Sequence, residues 1–288
     1  MIERKAYAKI NIGLDIVGKK ENGYHLIKTI MQQVDLYDVI SLEKTNSGII
    51  LETDSPYVPT DESNLAYKAA KIMIEKYMIN GGVRIKLDKR IPVAAGMAGG
   101  STDGAAVLIG MNDLYKLGLS IDELCEIGVS LGADIPFCIV GGCALCEGIG
   151  EVMTPINHDS KMYALIAKPS IDVSTAHVYK SLGLGVGPAT GPEHPDVDKV
   201  IEAFRDSNTE MIAKTMGNYL EKVTAREHDI IVNLKKDILE AGAIGSNMSG
   251  SGPTVFGLFD DFDKALAAEK IISQKYPDIF VKAVDIIK

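Results

Sequence analysis

The sequence predicts a protein of mixed strands and helices in two domains, and three observations predict it. Residues 6–17 alternate apolar and polar side chains with the period of a half-buried strand. Residues 64–78 place Leu65, Ala69, Ile72 and Met73 on one face of a helix. Composition then shifts after Pro155, where Ile156-Asn157-His158-Asp159 is polar and turn-like, so a boundary is expected there, giving domains 1–157 and 158–288. A length of 288 residues allows one large core or two medium ones, and 46% hydrophobic with 24% charged residues is the balance of a soluble globular chain.

In the first strand, Ala8, Ile10, Ile12, Leu14 and Ile16 point one way and Tyr7, Lys9, Asn11, Gly13 and Asp15 the other. Lys9 and Asn11 therefore stand side by side on the polar face. Glu21-Asn22-Gly23 is a tight-turn signal, and Tyr24-His25 follows at once. Separate strand patterns follow at 26–34, 39–43 and 49–53, with a loop over 54–63. Asn64 stands where a helix N-cap belongs. Val83, Ile85 and Leu87 alternate as a strand before Pro92. Beyond the small-residue loop a helix runs to about Tyr115, and Ser120 with Glu123 makes a capping box that opens another helix through Leu131. Asp134, in Gly132-Ala133-Asp134-Ile135-Pro136, is expected on a short turn between that helix and an apolar strand, with a buried hairpin after it.

In the second half, residues 162–167 read as a buried strand, and Ser174-Thr175 caps a helix carrying Tyr179. Residues 183–195, rich in Gly and Pro, are expected as a flexible surface loop or lid. Helical patterns cover 197–205, 209–219 and 230–241. Two strands flank a Ser/Gly turn over 243–259, and a helix near 263–275 and a strand near 279–287 close the chain.

Residues 91–108, IPVAAGMAGGSTDGAAVL, hold the strongest chemical signal. A backbone of little side-chain bulk feeds a helix N-terminus, whose free N–H groups and dipole attract anions. Glycines permit close approach of a ligand, and Ser101 and Thr102 add hydroxyls for phosphate or a metal ion. Taken alone, the run is equally an ordinary strand-to-helix turn. It is neither a P-loop nor a dinucleotide fingerprint, since both spacings are missing.

This loop resembles the second motif of the GHMP kinase superfamily, P-x-x-x-G-[LM]-G-[SG]-S-[SA], once one extra glycine is allowed. Ala8-Lys9-Ile10-Asn11 followed by Gly23-Tyr24-His25 resembles the first motif in the erythritol-derivative kinases of that superfamily. Gly132-Ala133-Asp134-Ile135-Pro136 and Ser249-Gly250-Ser251-Gly252-Pro253-Thr254 resemble two more, in the same order. The resemblance implies a two-domain α+β fold, with an N-terminal ribosomal-protein-S5-like domain and a C-terminal ferredoxin-like domain. It implies an ATP-dependent small-molecule kinase with Lys9 and Asp134 catalytic. ATP would meet Asn64, Pro92, Val93, Ala94, Ala95, Gly96, Met97, Ala98, Gly99, Gly100, Ser101 and Thr102. A cytidine-diphosphate-linked substrate would meet Asn11, Tyr24, His25, Thr175 and Tyr179. Magnesium would accompany ATP, with Ser101 a candidate ligand and no acidic partner assigned. Another superfamily kinase acting on mevalonate or homoserine, and a non-catalytic nucleotide-binding protein on the same fold, are the competing readings.

The net charge of −9 argues against a dedicated nucleic-acid binder, while leaving room for a local positive pocket around a nucleotide. The N-terminus lacks an apolar signal core and no run reaches membrane-spanning length, so a cytoplasmic protein is expected. Cys143 and Cys146 form a C-x-x-C without a second pair, so these two, Cys125 and Cys138 are expected to be reduced core thiols rather than a redox pair or zinc site. Sequence does not set the oligomeric state.

Overall fold

The computed structural model describes every residue from 1 to 288. Two long strands open the chain: β1, Ile2–Lys19, and β2, His25–Thr45. Both pass through each of two compact units. The first unit comprises Met1–Ala8, Leu36–Val93 and Ala98–Gly141, and the second Lys9–Asp35, Ala94–Met97 and Gly142–Lys288.

In the first unit, β3 (Gly48–Thr53) runs parallel to β4 (Gly82–Asp88), which pairs antiparallel with the second half of β2. Against these strands lie α1 (Leu65–Lys76), α2 (Gly99–Tyr115), α3 (Ile121–Leu131) and α4 (Ile135–Val140). Ile40, Leu42, Ile85 and Leu87 from the strands meet Ala69, Met73, Leu108 and Met111 from the helices in one core. Ser120 closes the expected capping box with Glu123.

Two expectations change here. The break expected between 34 and 39 is absent, and β2 is continuous. Asp38, within that stretch, is buried, and its carboxylate accepts the Arg90 and Ile91 backbone N–H groups and the Lys89 ammonium. The strand expected after Asp134 is the short helix α4, with Pro136 in its first turn. A brief apolar run carries no period that separates the two, and proline is tolerated at a helix start.

In the second unit, β5 (Cys143–Glu147) and β6 (Val152–Pro155) form the expected hairpin beside the first half of β2. None of the four cysteines is in a disulfide, and Cys138, Cys143 and Cys146 are buried. A second sheet is antiparallel, in the order β10 (Gly245–Met248), β11 (Val255–Phe259), β7 (Tyr163–Lys168), β12 (Phe280–Asp285). It packs on α9 (Asp229–Glu240) and α10 (Phe262–Lys275) through Leu165, Leu234, Ile238, Phe259, Ala268 and Ile272.

The connection after α5 (Thr175–Ser181) is not a free loop, because β8, Gly187–Pro188, pairs with the end of β1. After α6 (Val197–Arg205), the helix expected over 209–219 stops early: α7 is Thr209–Thr215, and Gly217–Asn218 form β9, parallel to Gly13 and Leu14. A helix without a sequence signal, α8, spans Glu221–Glu227.

Candidate active site

In the second unit, Lys9 lies on β1 with only 5% of its surface exposed. Its ammonium donates to Asn11 Oδ1 at 2.7 Å. Asn11 Nδ2 donates to Thr29 Oγ1 at 2.9 Å, and that hydroxyl donates to the Gly13 carbonyl at 2.7 Å. Asn11 was expected to touch substrate; it is almost fully buried, and both ends of its amide are engaged in aligning Lys9 and Thr29. Alternation along β1 put Lys9 and Asn11 on one face, and Thr29 completes the network from β2.

The Ser/Gly turn between β10 and β11 is built onto the same strand. Ser249 Oγ accepts the Asn11 backbone N–H at 3.3 Å and donates to the Gly96 carbonyl at 3.0 Å. Gly96 has φ +71°, and a Cβ there would come within 2.5 Å of the Ser249 carbonyl oxygen. Only glycine satisfies both constraints. Asn218 Nδ2 donates to the Met248 and Gly250 carbonyls, and Thr224 Oγ1 donates to the Ser251 carbonyl. Neither residue belongs to a recognisable motif; each is legible only once β9 and α8 are in place.

In the first unit, α2 begins at Gly99. Its N-cap is Ala98, in the left-handed region at φ +60°, and provides no side-chain cap. First-turn N–H groups have no partners inside a helix, so those of α2 are left for an incoming anion, with no acidic side chain in that turn to repel it. Ser101 is half-buried in that turn. Thr102 is buried, and its hydroxyl is committed to the Tyr7 carbonyl at 2.8 Å. Asn64 caps α1, its Oδ1 accepting the Ala66 N–H at 2.8 Å.

Beside this loop lies a buried ionic cluster. Lys89 bridges Asp38 and Asp103, its ammonium 2.6 Å from Asp103 Oδ2. Burial, opposed by the Lys89 charge, pushes the Asp103 carboxyl up to about 7. Burial also works against the Lys89 ammonium, but the two carboxylates outweigh it and leave its pKa raised. Asp103 Oδ1 is buried with no hydrogen-bond partner.

Asp134 is the N-cap of α4, with a helical backbone and no side-chain bond to its own helix. An aspartate at that position ordinarily caps; this one does not.

Back in the second unit, His25 and Tyr179 are in contact, their ring centroids 5.0 Å apart and their planes at 41°. Burial, and then the charge of Lys19, lower the His25 pKa, so its ring is neutral near pH 7. Its Nε2 is buried without a partner. Tyr24 is exposed on the turn before it. Thr175 Oγ1 lies 2.8 Å from Ser251 Oγ, which links α5 to the Ser/Gly turn. Ser174, not Thr175, is the cap of α5.

Comparison with known proteins gives the family. The family model described as GHMP kinases N terminal domain matches residues 64–142, and that described as GHMP kinases C terminal matches residues 200–278. The chain belongs to the GHMP kinases, and its architecture is their two-domain α+β fold. Within that family it is 52% identical over 277 residues to the 4-diphosphocytidyl-2-C-methyl-D-erythritol kinase of Clostridium beijerinckii, covering 96% of this chain and 98% of that one. The protein of the same name from Clostridium botulinum is 50% identical over the same span. A crystal structure of 4-(cytidine 5'-diphospho)-2C-methyl-D-erythritol kinase superposes with a TM-score of 0.80 at 31% identity, covering 99% of both chains. A mevalonate kinase from L. major, crystallised with R-mevalonate, shares the fold at a TM-score of 0.76 and 17% identity. No helix is long and apolar enough to cross a membrane.

Proposed function

We propose that this chain transfers the γ-phosphoryl group of ATP to the 2-hydroxyl of 4-(cytidine 5'-diphospho)-2-C-methyl-D-erythritol, in the non-mevalonate route to isoprenoid precursors, and that it does so in the cytoplasm. The observation that carries the choice of substrate is the His25–Tyr179 pair. A neutral imidazole with an unpartnered buried Nε2 offers one hydrogen bond to a cytosine edge, and the tyrosine beside it offers a face for stacking. Tyr24, on the turn before β2, adds an exposed ring, and Thr175, on α5, a hydroxyl.

The first-turn N–H groups of α2, with the loop from Pro92 to Thr102, bind the triphosphate; Asn64, its amide committed to the Ala66 N–H and the Pro59 carbonyl, meets the adenine only through packing at the start of α1. Lys9, aligned by Asn11, stabilises negative charge on the transferring phosphoryl group and favours ionisation of the attacking hydroxyl. Asp134, unused as a cap, accepts or directs the hydroxyl proton. Magnesium, when bound with ATP, offsets phosphate charge. The Ser101 hydroxyl suits one of the few protein ligands that ion takes when phosphates and water supply the rest. The family's domains divide near residue 157, in keeping with matches at 64–142 and 200–278.

Calorimetric titration of CDP into the wild type and into Tyr24→Ala, His25→Ala and Tyr179→Ala tests the substrate. Tyr179→Ala is expected to weaken binding by one to two orders of magnitude, the scale of about 1–3 kcal/mol for one stacked base, with ATP affinity unchanged. Absent CDP binding in the wild type, or equal binding in all four proteins, would leave a GHMP kinase acting on another substrate.

A further inference from the structure

The connection between α5 and α6 is fastened at both ends. Near α5, Lys19 Nζ donates to the Leu184 carbonyl at 3.2 Å, Gly187 and Pro188 pair with Lys19 and Gly18, and the Ala189 N–H donates to the Val17 carbonyl at 3.0 Å. Gly18 is required for this pairing, since a Cβ there would come within 2.9 Å of the Gly187 carbonyl oxygen. Near α6, His194 Nδ1 lies 2.7 Å from Asp15 Oδ1. The same imidazole stacks on Tyr219, centroids 4.1 Å apart and planes at 24°, and Lys222 Nζ sits 3.6 Å from the centroid of that phenol ring. Pro195 fills the space left by Gly217, whose Cβ would lie 2.6 Å from the Pro195 Cβ.

This is more than a surface loop needs. Asp15 is a nearly buried carboxylate on the polar face of β1, the face that carries Lys9 and Asn11, and His194 is its side-chain partner. The fastening acts on both aromatic residues of the base site. Tyr179 sits in the last turn of α5, just before this connection, and the connection is registered on residues 15–19 of β1. Those residues lead through the Asn22-Gly23 turn to His25. The 5.0 Å ring contact therefore joins two elements indexed to the same few residues.

We propose that His194, acting through Asp15 and Tyr219, is a positioning residue for the pyrimidine-diphosphate site. It holds the 182–196 connection so that Tyr179 stays beside His25, and so sets affinity for the cytidylyl group without touching it. The inference rests on reading His25 and Tyr179 as the base site. A lid that opens freely at each turnover would need no such clasp.

Three variants test it. His194→Ala removes the clasp, His194→Asn retains a donor near the Nδ1 position, and Gly18→Ala disrupts the opposite fastening. Each is titrated with CDP, and KM for both substrates, kcat and Tm are measured. His194→Ala and Gly18→Ala are expected to weaken CDP binding and raise KM for the cytidylyl substrate about tenfold, the loss if the stacked arrangement falls to a tenth of the population. KM for ATP and kcat should stay within about twofold, and His194→Asn should recover part of the loss. Equal CDP affinity in wild type and variants would overturn the clasp and leave the base site standing. So would a uniform fall in kcat and Tm with no selective change in KM. If the wild type itself fails to bind CDP, the base-site reading falls first and the clasp with it.

Discussion

The ionic cluster beside the start of α2 and the network around Lys9 set buried lysines in different surroundings. Lys89 is buried between two carboxylates, one of which leaves an oxygen without a partner. Lys9 is held by an amide oxygen, itself set by a threonine hydroxyl and a backbone carbonyl. An ion pair in a core fixes geometry but makes it sensitive to the loss of either charge. The Asn11 amide oxygen fixes the direction of the Lys9 ammonium. On the proposed mechanism Lys89 serves stability and Lys9 turnover.

The sharpest way to break that contrast is to remove each lysine. Lys89→Met leaves Asp38 and Asp103 buried and unpaired and is expected to cost about 3–5 kcal/mol of stability, read as a fall in denaturation midpoint. Adding Asp103→Asn should restore part of it. Lys9→Ala and Asp134→Ala should instead lower kcat by at least about a hundredfold, the usual scale for a positioned acid–base group, with the midpoint little changed. A large stability loss in Lys9→Ala with turnover intact would invert the assignment.

A smaller effect sharpens the comparison through pH. The Asp103 carboxyl sits at about 7 in the folded chain, against about 3.9 when unfolded. Between those values the native state holds a proton that the unfolded chain releases. The contribution is therefore fully present below pH 4 and is lost as pH rises toward 7. Asp103→Asn should gain stability relative to wild type across pH 4–7, on the order of 1 kcal/mol per pH unit, and level off above. Parallel stability curves for the two proteins would remove Asp103 from the cluster's titration.

The smallest expected effect lies in the loop itself. Ala94 and Ala98 adopt left-handed backbone at φ +53° and +60°. Ala98→Gly should relieve strain of about 1 kcal/mol, offset in part by the greater freedom of glycine in the unfolded chain. A rise in Tm with unchanged KM for ATP would place that strain in the fold rather than in nucleotide binding.

What was legible in the sequence were features carried by local spacing. The alternation of β1, the capping box at Ser120 and the four separated motifs needed only neighbours along the chain. What was not legible depended on partners far away. The gap in pattern between 34 and 39 is bridged inside one strand, where the buried Asp38 is satisfied by the Lys89 ammonium and two backbone donors some fifty residues on. The helix expected to reach Tyr219 ends early because Gly217 and Asn218 pair with β1. Gly96, Gly99 and Gly100 read alike as glycines of the loop. The tightest constraint among the three falls on Gly96, crowded by Ser249 and Gly252, the first of them 153 residues on. Thr102 looked like a phosphate ligand by type, yet its hydroxyl is committed to the Tyr7 carbonyl.

The central claim is that Lys9 and Asp134 serve phosphoryl transfer to a cytidylyl-linked alcohol. Its most direct test is coupled ADP release by the purified protein with ATP, magnesium and, in turn, 4-(cytidine 5'-diphospho)-2-C-methyl-D-erythritol, mevalonate and homoserine. The expected result is turnover with the first alone, lost in Lys9→Ala and Asp134→Ala. Faster release with mevalonate or homoserine, or undiminished release in both variants, would contradict it.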